Sequence, residues 1–154
     1  MSDAVARTTA ALRELNVAGE IRTFTEPVPT AAAAAAQLGC AVGAIANSLV
    51  FDADGEPLLI LASGAHRVNT VKVATLLGAQ RIRRATPAFV LAATGQEVGG
   101  VAPVGHPAAI RTVVDTWLGR YEQVWAGAGD EMTMFCTSLR ELERITGGKV
   151  ADIE

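Results

Sequence analysis

The stretch Ala46-Asn47-Ser48-Leu49-Val50-Phe51-Asp52-Ala53-Asp54-Gly55-Glu56-Pro57-Leu58-Leu59-Ile60-Leu61-Ala62 decides the fold class. Two apolar runs flank a polar turn over residues 52–56, the pattern of an antiparallel hairpin spanning 46–62. A hairpin set among alternating helices and strands points to an α+β, mixed α/β domain. It speaks against a doubly wound parallel sheet.

Outward from the hairpin the same alternation continues. Apolar residues recur at helical spacing over 5–15, and residues 16–19 stop that helix. Residues 21–25 alternate like a strand until Pro27-Val28-Pro29 breaks it. Thr30 is a good N-cap for a helix through the alanines 31–36, ended by Gly39. After the hairpin, a helix is expected over 69–77 ending at Gly78, a short strand over 81–85, and a helix that Thr86-Pro87 starts and that reaches Ala93. Strands near 110–114, 123–126 and 131–135 precede a last helix capped by Thr137 or Ser138. No repeat or linker divides the chain, so residues 1–154 are expected to form a single domain.

Composition sets bounds. The chain has 154 residues, half of them apolar, and a net charge of −3. That length can bury a substantial core. No apolar run reaches the length of a membrane span, and the N-terminus does not read as a secretory signal, so a cytoplasmic address without membrane contact is expected. Cys40 and Cys136 lie far apart, with no second thiol or histidine at ligand spacing; they read as buried, reduced thiols, and no metal or cofactor is expected.

Charge distribution says more than its sum. Between Glu56 and Glu97 there is no acidic residue, whereas His66, Arg67, Lys72, Arg81, Arg83 and Arg84 all fall there. One part of an acidic chain is therefore basic, which suits either a phosphate-contacting face or ordinary solvated side chains.

The segment Gly99-Gly100-Val101-Ala102-Pro103-Val104-Gly105-His106-Pro107 is the strongest candidate for a site. Glycine lets a backbone approach a ligand closely and proline holds the neighbouring geometry, so such a loop can offer N–H donors to an oxyanion without a charged side chain. A plain turn between strands has the same composition.

The loop, the motif Asn47-Ser48-Leu49-Val50-Phe51, the segments Asp54-Gly55-Glu56-Pro57 and Leu58-Leu59-Ile60-Leu61-Ala62-Ser63-Gly64, the run Val124-Trp125-Ala126-Gly127-Ala128-Gly129 and the closing Ser138-Leu139-Arg140-Glu141-Leu142 occur in a telling order. With that order and spacing the chain resembles the YbaK/ProX family of aminoacyl-tRNA deacylases, free-standing relatives of the editing domain inserted in bacterial prolyl-tRNA synthetases. The resemblance implies a mixed sheet forming a partial barrel with surrounding helices. It also implies hydrolysis of the ester of a mischarged tRNA, with the aminoacyl-tRNA 3′ end as partner and a synthetase as a further one.

On this resemblance Gly99, Gly100, Val101 and Ala102 are the implied oxyanion cradle, with Pro103, Gly105 and His106 completing the turn, and water or the tRNA ribose hydroxyl as the attacking group. Asn47 stands where active family members carry a lysine. A carboxamide has no charge and a shorter stem; if the lysine acts electrostatically, its loss costs about 2 to 4 kcal/mol of transition-state stabilisation. Lys72, or an arginine among Arg81, Arg83 and Arg84, then becomes a substitute source of charge. The alternative is a catalytically impaired binding module of the same fold. Phe51, His66, Asp115 and Gly129 are assigned to the substrate, and Arg67 joins the three arginines on the tRNA. His106 admits two roles, general base or brace of its own turn.

Overall fold

The computed structural model describes residues 2–154. Strands β1 (Ile21–Thr23), β2 (Ile45–Ala53), β3 (Glu56–Ser63), β4 (Ile82–Arg84), β5 (Arg111–Asp115), β6 (Val124–Gly127), β7 (Thr133–Thr137) and β8 (Lys149–Ala151) form one mixed sheet. Around it lie helices α1 (Asp3–Glu14), α2 (Ala31–Leu38), α3 (Thr70–Leu77), α4 (Pro87–Thr94) and α5 (Leu139–Thr146). The strand order is β1-β7-β6-β2-β3-β5-β8, with β4 off this path on β2. The path is open, ending at β1 and β8.

Local chemistry accounts for most boundaries. Each helix begins at a side chain that accepts from its own first turn: Ser2, Thr30, Asn69, Thr86 and Ser138. Gly39, Gly78, Gly95 and Gly147 close four of the helices in the left-handed region. Of the two expected caps for the last helix, Ser138 is the one used.

The hairpin turn places Asp54 at φ 53° and Gly55 at φ 90°, the pair of positive values a tight two-residue connection needs. Asp54 does a second job, since its carboxylate accepts from Gln80 N and Arg81 N at 2.9 Å each. That pins the start of β4 to the hairpin tip.

Three differences from the sequence expectation stand out. The strand expected at 131–135 lies at Thr133–Thr137, because Asp130 Oδ1 accepts from Met132 N and holds a turn through 130–132. β8 was not anticipated; its three residues carry no periodicity, and parallel pairing with β5 makes it a strand. Short 3₁₀ turns at Val42–Ala44 and Thr116–Arg120 were likewise unforeseen.

The core lies on both faces of the hairpin. Leu59 and Leu61 of β3 pack with Val90, Val101, Val114 and Phe135, while Leu58, Ile60 and Ala62 pack with Val73, Ile82 and Ile153. A third cluster joins α2 to Ile45, Trp125 and Met134. With strands this apolar on both sides, the central pair is sandwiched between layers, as its unbroken run 58–62 requires. Among the described residues no helix is long and apolar enough to cross a membrane.

Candidate functional site

Strand β2 is where the sheet divides. Its first residues, Ile45 and Ala46, pair parallel with β6, and its last three, Phe51–Ala53, pair antiparallel with β4 on the same edge. The two neighbours diverge, and a cleft of about 430 Å³ opens between them. That is ample for an amino-acid side chain with part of a nucleoside.

The walls come from distant segments. Val28 to Ala31 and Ala34 form one side, Ala85, Pro87 and Val90 another, and Val98, Gly99 and Val101 a third. β2 supplies the floor, from Ile45 to Phe51. The lining is mainly apolar, with polarity confined to Thr30, Asn47, Ser48, Arg84, Asp130 and backbone. Side chains alternate along β2, so Asn47 shares a face with Ile45, Leu49 and Phe51. Ser48 lies on the other face, with Ala46 and Val50.

The structure therefore brings together Asn47, Phe51, Arg84, Gly99 and Val101 of the residues singled out in the sequence. Arg84 has no carboxylate within ion-pair distance among the described residues, whereas Arg83 Nε lies 3.5 Å from Asp52 and Arg81 is exposed outside the cleft.

The glycine-proline loop divides in two. Gly100 N donates to Glu97 O at 3.2 Å, and Gly100 O accepts from Gly129 N at 3.0 Å. A Cβ on Gly100 would lie 2.4 Å from the Asp130 Cα, so this glycine exists to let two backbones touch. Ala102 is fully buried; its N–H donates to Gln96 Oε1 at 2.6 Å and its carbonyl accepts from His106 Nε2 at 2.8 Å. Of the expected row of four amides, Gly100 and Ala102 are thus spent inside the fold. Gly99 and Val101 line the cleft, and neither of their N–H groups has a backbone partner among the described residues.

His106 braces the turn. Burial pushes its imidazole below the ordinary histidine range, against a smaller upward pull from the bond to Ala102. Pro103 is buried behind the loop, and Gly105, at φ 86°, packs against Thr8 of α1. Gly129 also lies outside the cleft: at φ 120° its absent side chain makes room for the Ala4 and Val5 backbone, 2.7 to 2.8 Å from where a Cβ would stand.

Four more residues sit elsewhere. Asp115 is fully buried and accepts from Ser63 N at 3.0 Å, from Trp117 N at 2.9 Å and from His66 Nδ1 at 2.9 Å. Arg67 N donates to Glu154 Oε2, and Lys72 Nζ donates to Asp152 Oδ2 at 2.8 Å and Glu154 O at 2.9 Å. These residues fasten the C-terminal segment to α3 and do not line the cleft; Lys72 is therefore not the substitute for a charge beside Asn47. The Lys72 ammonium also draws the Asp152 carboxyl below its usual value. Burial raises both thiols, Cys40 and Cys136.

Asp130, the α2 wall and the backbone of β2 were not anticipated. Asp130 was visible beside Gly129, but nothing in its neighbours signalled a cleft.

Comparison with known proteins agrees with this architecture. A crystal structure of a proposed trans-editing enzyme for prolyl tRNA synthetase superposes with a TM-score of 0.93 at 34% identity, covering 100% of this chain and 98% of that one. A proline--tRNA ligase of Nitratidesulfovibrio vulgaris (strain DP4) is 42% identical over 81 residues, which is 53% of this chain and 14% of the ligase. The chain thus spans a small part of the curated ligases it matches. The uncharacterized protein YwhH of Bacillus subtilis (strain 168) is 29% identical over 136 residues, 88% of this chain and 86% of that protein. The aminoacyl-tRNA editing domain model matches residues 25–145, and the chain belongs to that family.

Proposed function

We propose that this chain is a trans-editing aminoacyl-tRNA deacylase that hydrolyses the ester of a mischarged tRNA in the cleft beside Asn47. The observation that carries the reading is an apolar cleft lined by Asn47, Gly99 and Val101 in which the Gly99 and Val101 amides have no backbone partner among the described residues. An aminoacyl ester is already activated, so the site has only to seat the side chain, receive charge on the carbonyl oxygen and admit a nucleophile. A water oxygen, or the neighbouring ribose hydroxyl followed by water, attacks the acyl carbon. The ester C–O bond breaks, and the departing ribose oxygen takes a proton. The two amides hold the oxygen that gains charge, Asn47 adds a neutral donor, and Arg84 meets the nucleotide end.

The neutral carboxamide at Asn47 favours a second reading, a module that binds the aminoacyl end without turning it over. A panel of tRNAs mischarged with alanine, serine, threonine and cysteine separates the two. The deacylase reading expects hydrolysis well above the spontaneous rate for at least one of them. Spontaneous rates throughout, with deacylation switched on by Asn47→Lys, would leave the binding module standing.

A further inference from the structure

Strand β2 has two edges, and only one is fully used. β3 pairs with it from Ala46 to Ala53, while the opposite edge is taken by β6 at one end and β4 at the other. Residues 47–50 lie between. Along an antiparallel strand the backbone polar groups of successive residues point to opposite edges. Ile45 O accepts from Gly64 N on the β3 side, and Asp54 N donates to Arg81 O on the β4 side, so even-numbered residues face the fork.

The N–H and C=O of Ser48 and the N–H of Val50 therefore point into the cleft with no strand paired to them. Ser48 supports this placement: the residue is only partly buried, yet its hydroxyl is wholly buried and unpartnered, so its exposed surface belongs to backbone and Cβ. An unpaired edge is a ready template for adding backbone-like groups. The free groups, from Ser48 N–H to Val50 N–H, span two residues, roughly 7 Å at 3.3 Å each, the reach of one amino-acid unit and its acyl linkage.

The two ends of the open edge carry opposite charge. Asp130, just beyond the end of β6, and Arg84, opposite Phe51 on β4, are the only charged residues lining the cleft among the described residues. Asp130 is held in place, accepting from Met132 N at 2.9 Å and from Ser2 Oγ at 3.1 Å.

We infer that the open edge of β2 reads the aminoacyl group through its backbone: Ser48 O, backed by Asp130, takes the protonated α-amine, Val50 N–H joins the loop amides on the acyl carbonyl oxygen, and the nucleotide leaves towards Arg84. The choice of ligand rests on the deacylase reading. The inference adds a selectivity within that reading: the free α-amine is required. N-blocked and peptidyl esters are refused, because their nitrogen carries no charge and their extra carbonyl faces Asp130.

The test is amide hydrogen exchange by NMR with 3′-alanylamino-3′-deoxyadenosine, whose amide link is not hydrolysed, and its N-acetyl twin. In the free protein the Ser48 and Val50 amides exchange faster than those of Asn47 and Leu49, which face β3. Saturation with the free-amine compound slows the Val50 amide about tenfold, the effect of one ordinary hydrogen bond; the acetylated twin leaves it unchanged, and Asp130→Asn narrows the preference. Ser48 and Val50 amides protected before ligand is added, a Val50 amide unmoved by the free-amine compound, or one slowed equally by both twins would overturn the inference, as would a preference undiminished by Asp130→Asn. Turnover is read separately. Protection of Val50 in an inert protein keeps the edge assignment and removes the enzyme reading, whereas turnover with the Val50 amide unmoved does the reverse.

Discussion

At the scale of the residue, a glycine and a histidine of one loop show how the same composition serves different ends. Gly100 lets the loop lie on Asp130, so Gly100→Ala forces a Cβ to 2.4 Å from a backbone carbon. The expected cost is about 1 to 3 kcal/mol of overpacking, seen as a lower urea midpoint with an unchanged m-value, and activity falls only as far as folding does. An effect on turnover without loss of stability would return Gly100 to the site. His106 has a pKa lowered mainly by burial. A lowered folded value means the unfolded chain takes up the proton first. Its contribution is therefore complete above the unfolded value, about 6.5, and is lost as pH falls from there towards the folded value. His106→Gln, which keeps a donor for Ala102 O, is expected to reduce the acid sensitivity of the urea midpoint below about pH 6.5. An unaltered pH profile in that variant contradicts the assignment.

At the scale of the element, the hairpin tip governs the cleft from outside it. Asp54 combines φ 53° with two accepted hydrogen bonds from the chain entering β4. Asp54→Ala loses both acceptors and puts a residue poorly suited to positive φ in the turn, for an expected loss of about 2 kcal/mol. Faster amide exchange at Ile82 and Arg83 should accompany it, since β4 loses its anchor. If β4 amides remain as protected as in the parent, the anchoring role is wrong. The cap of α3 offers a cleaner case: Asn69 Oδ1 accepts from Lys72 N at 3.0 Å, and Asn69→Ala is expected to cost about 1 kcal/mol in denaturant unfolding.

At the scale of the whole molecule, a net charge of −3 coexists with an arginine-bearing rim, so tRNA affinity has to come from local contacts. Arg84 is the contact the cleft supports. Arg84→Ala is expected to raise KM for tRNA and reduce the slope of log affinity against log salt by about 0.7 to 0.9, the loss of one phosphate contact. A substrate reduced to aminoacyl-adenosine, which lacks that phosphate, should not respond. Equal losses for both substrates would place Arg84 against the aminoacyl group or in the fold.

The caps, the helix ends, the hairpin and most strands were legible in the sequence, because each depends on residues within a few positions of one another. Thr30, Asn69, Thr86 and Ser138 act within their own first turn, and Asp54-Gly55 within its own hairpin. The presence of a glycine at 100 or 129 announced that something approaches the backbone; only the folded chain shows that the visitor is another backbone. The fork in β2, the two amides left over at Gly99 and Val101, and the meeting of Asp130 with Arg84 depend on which strands claim an edge. That choice is made by packing between segments up to about a hundred residues apart, where local pattern carries no information.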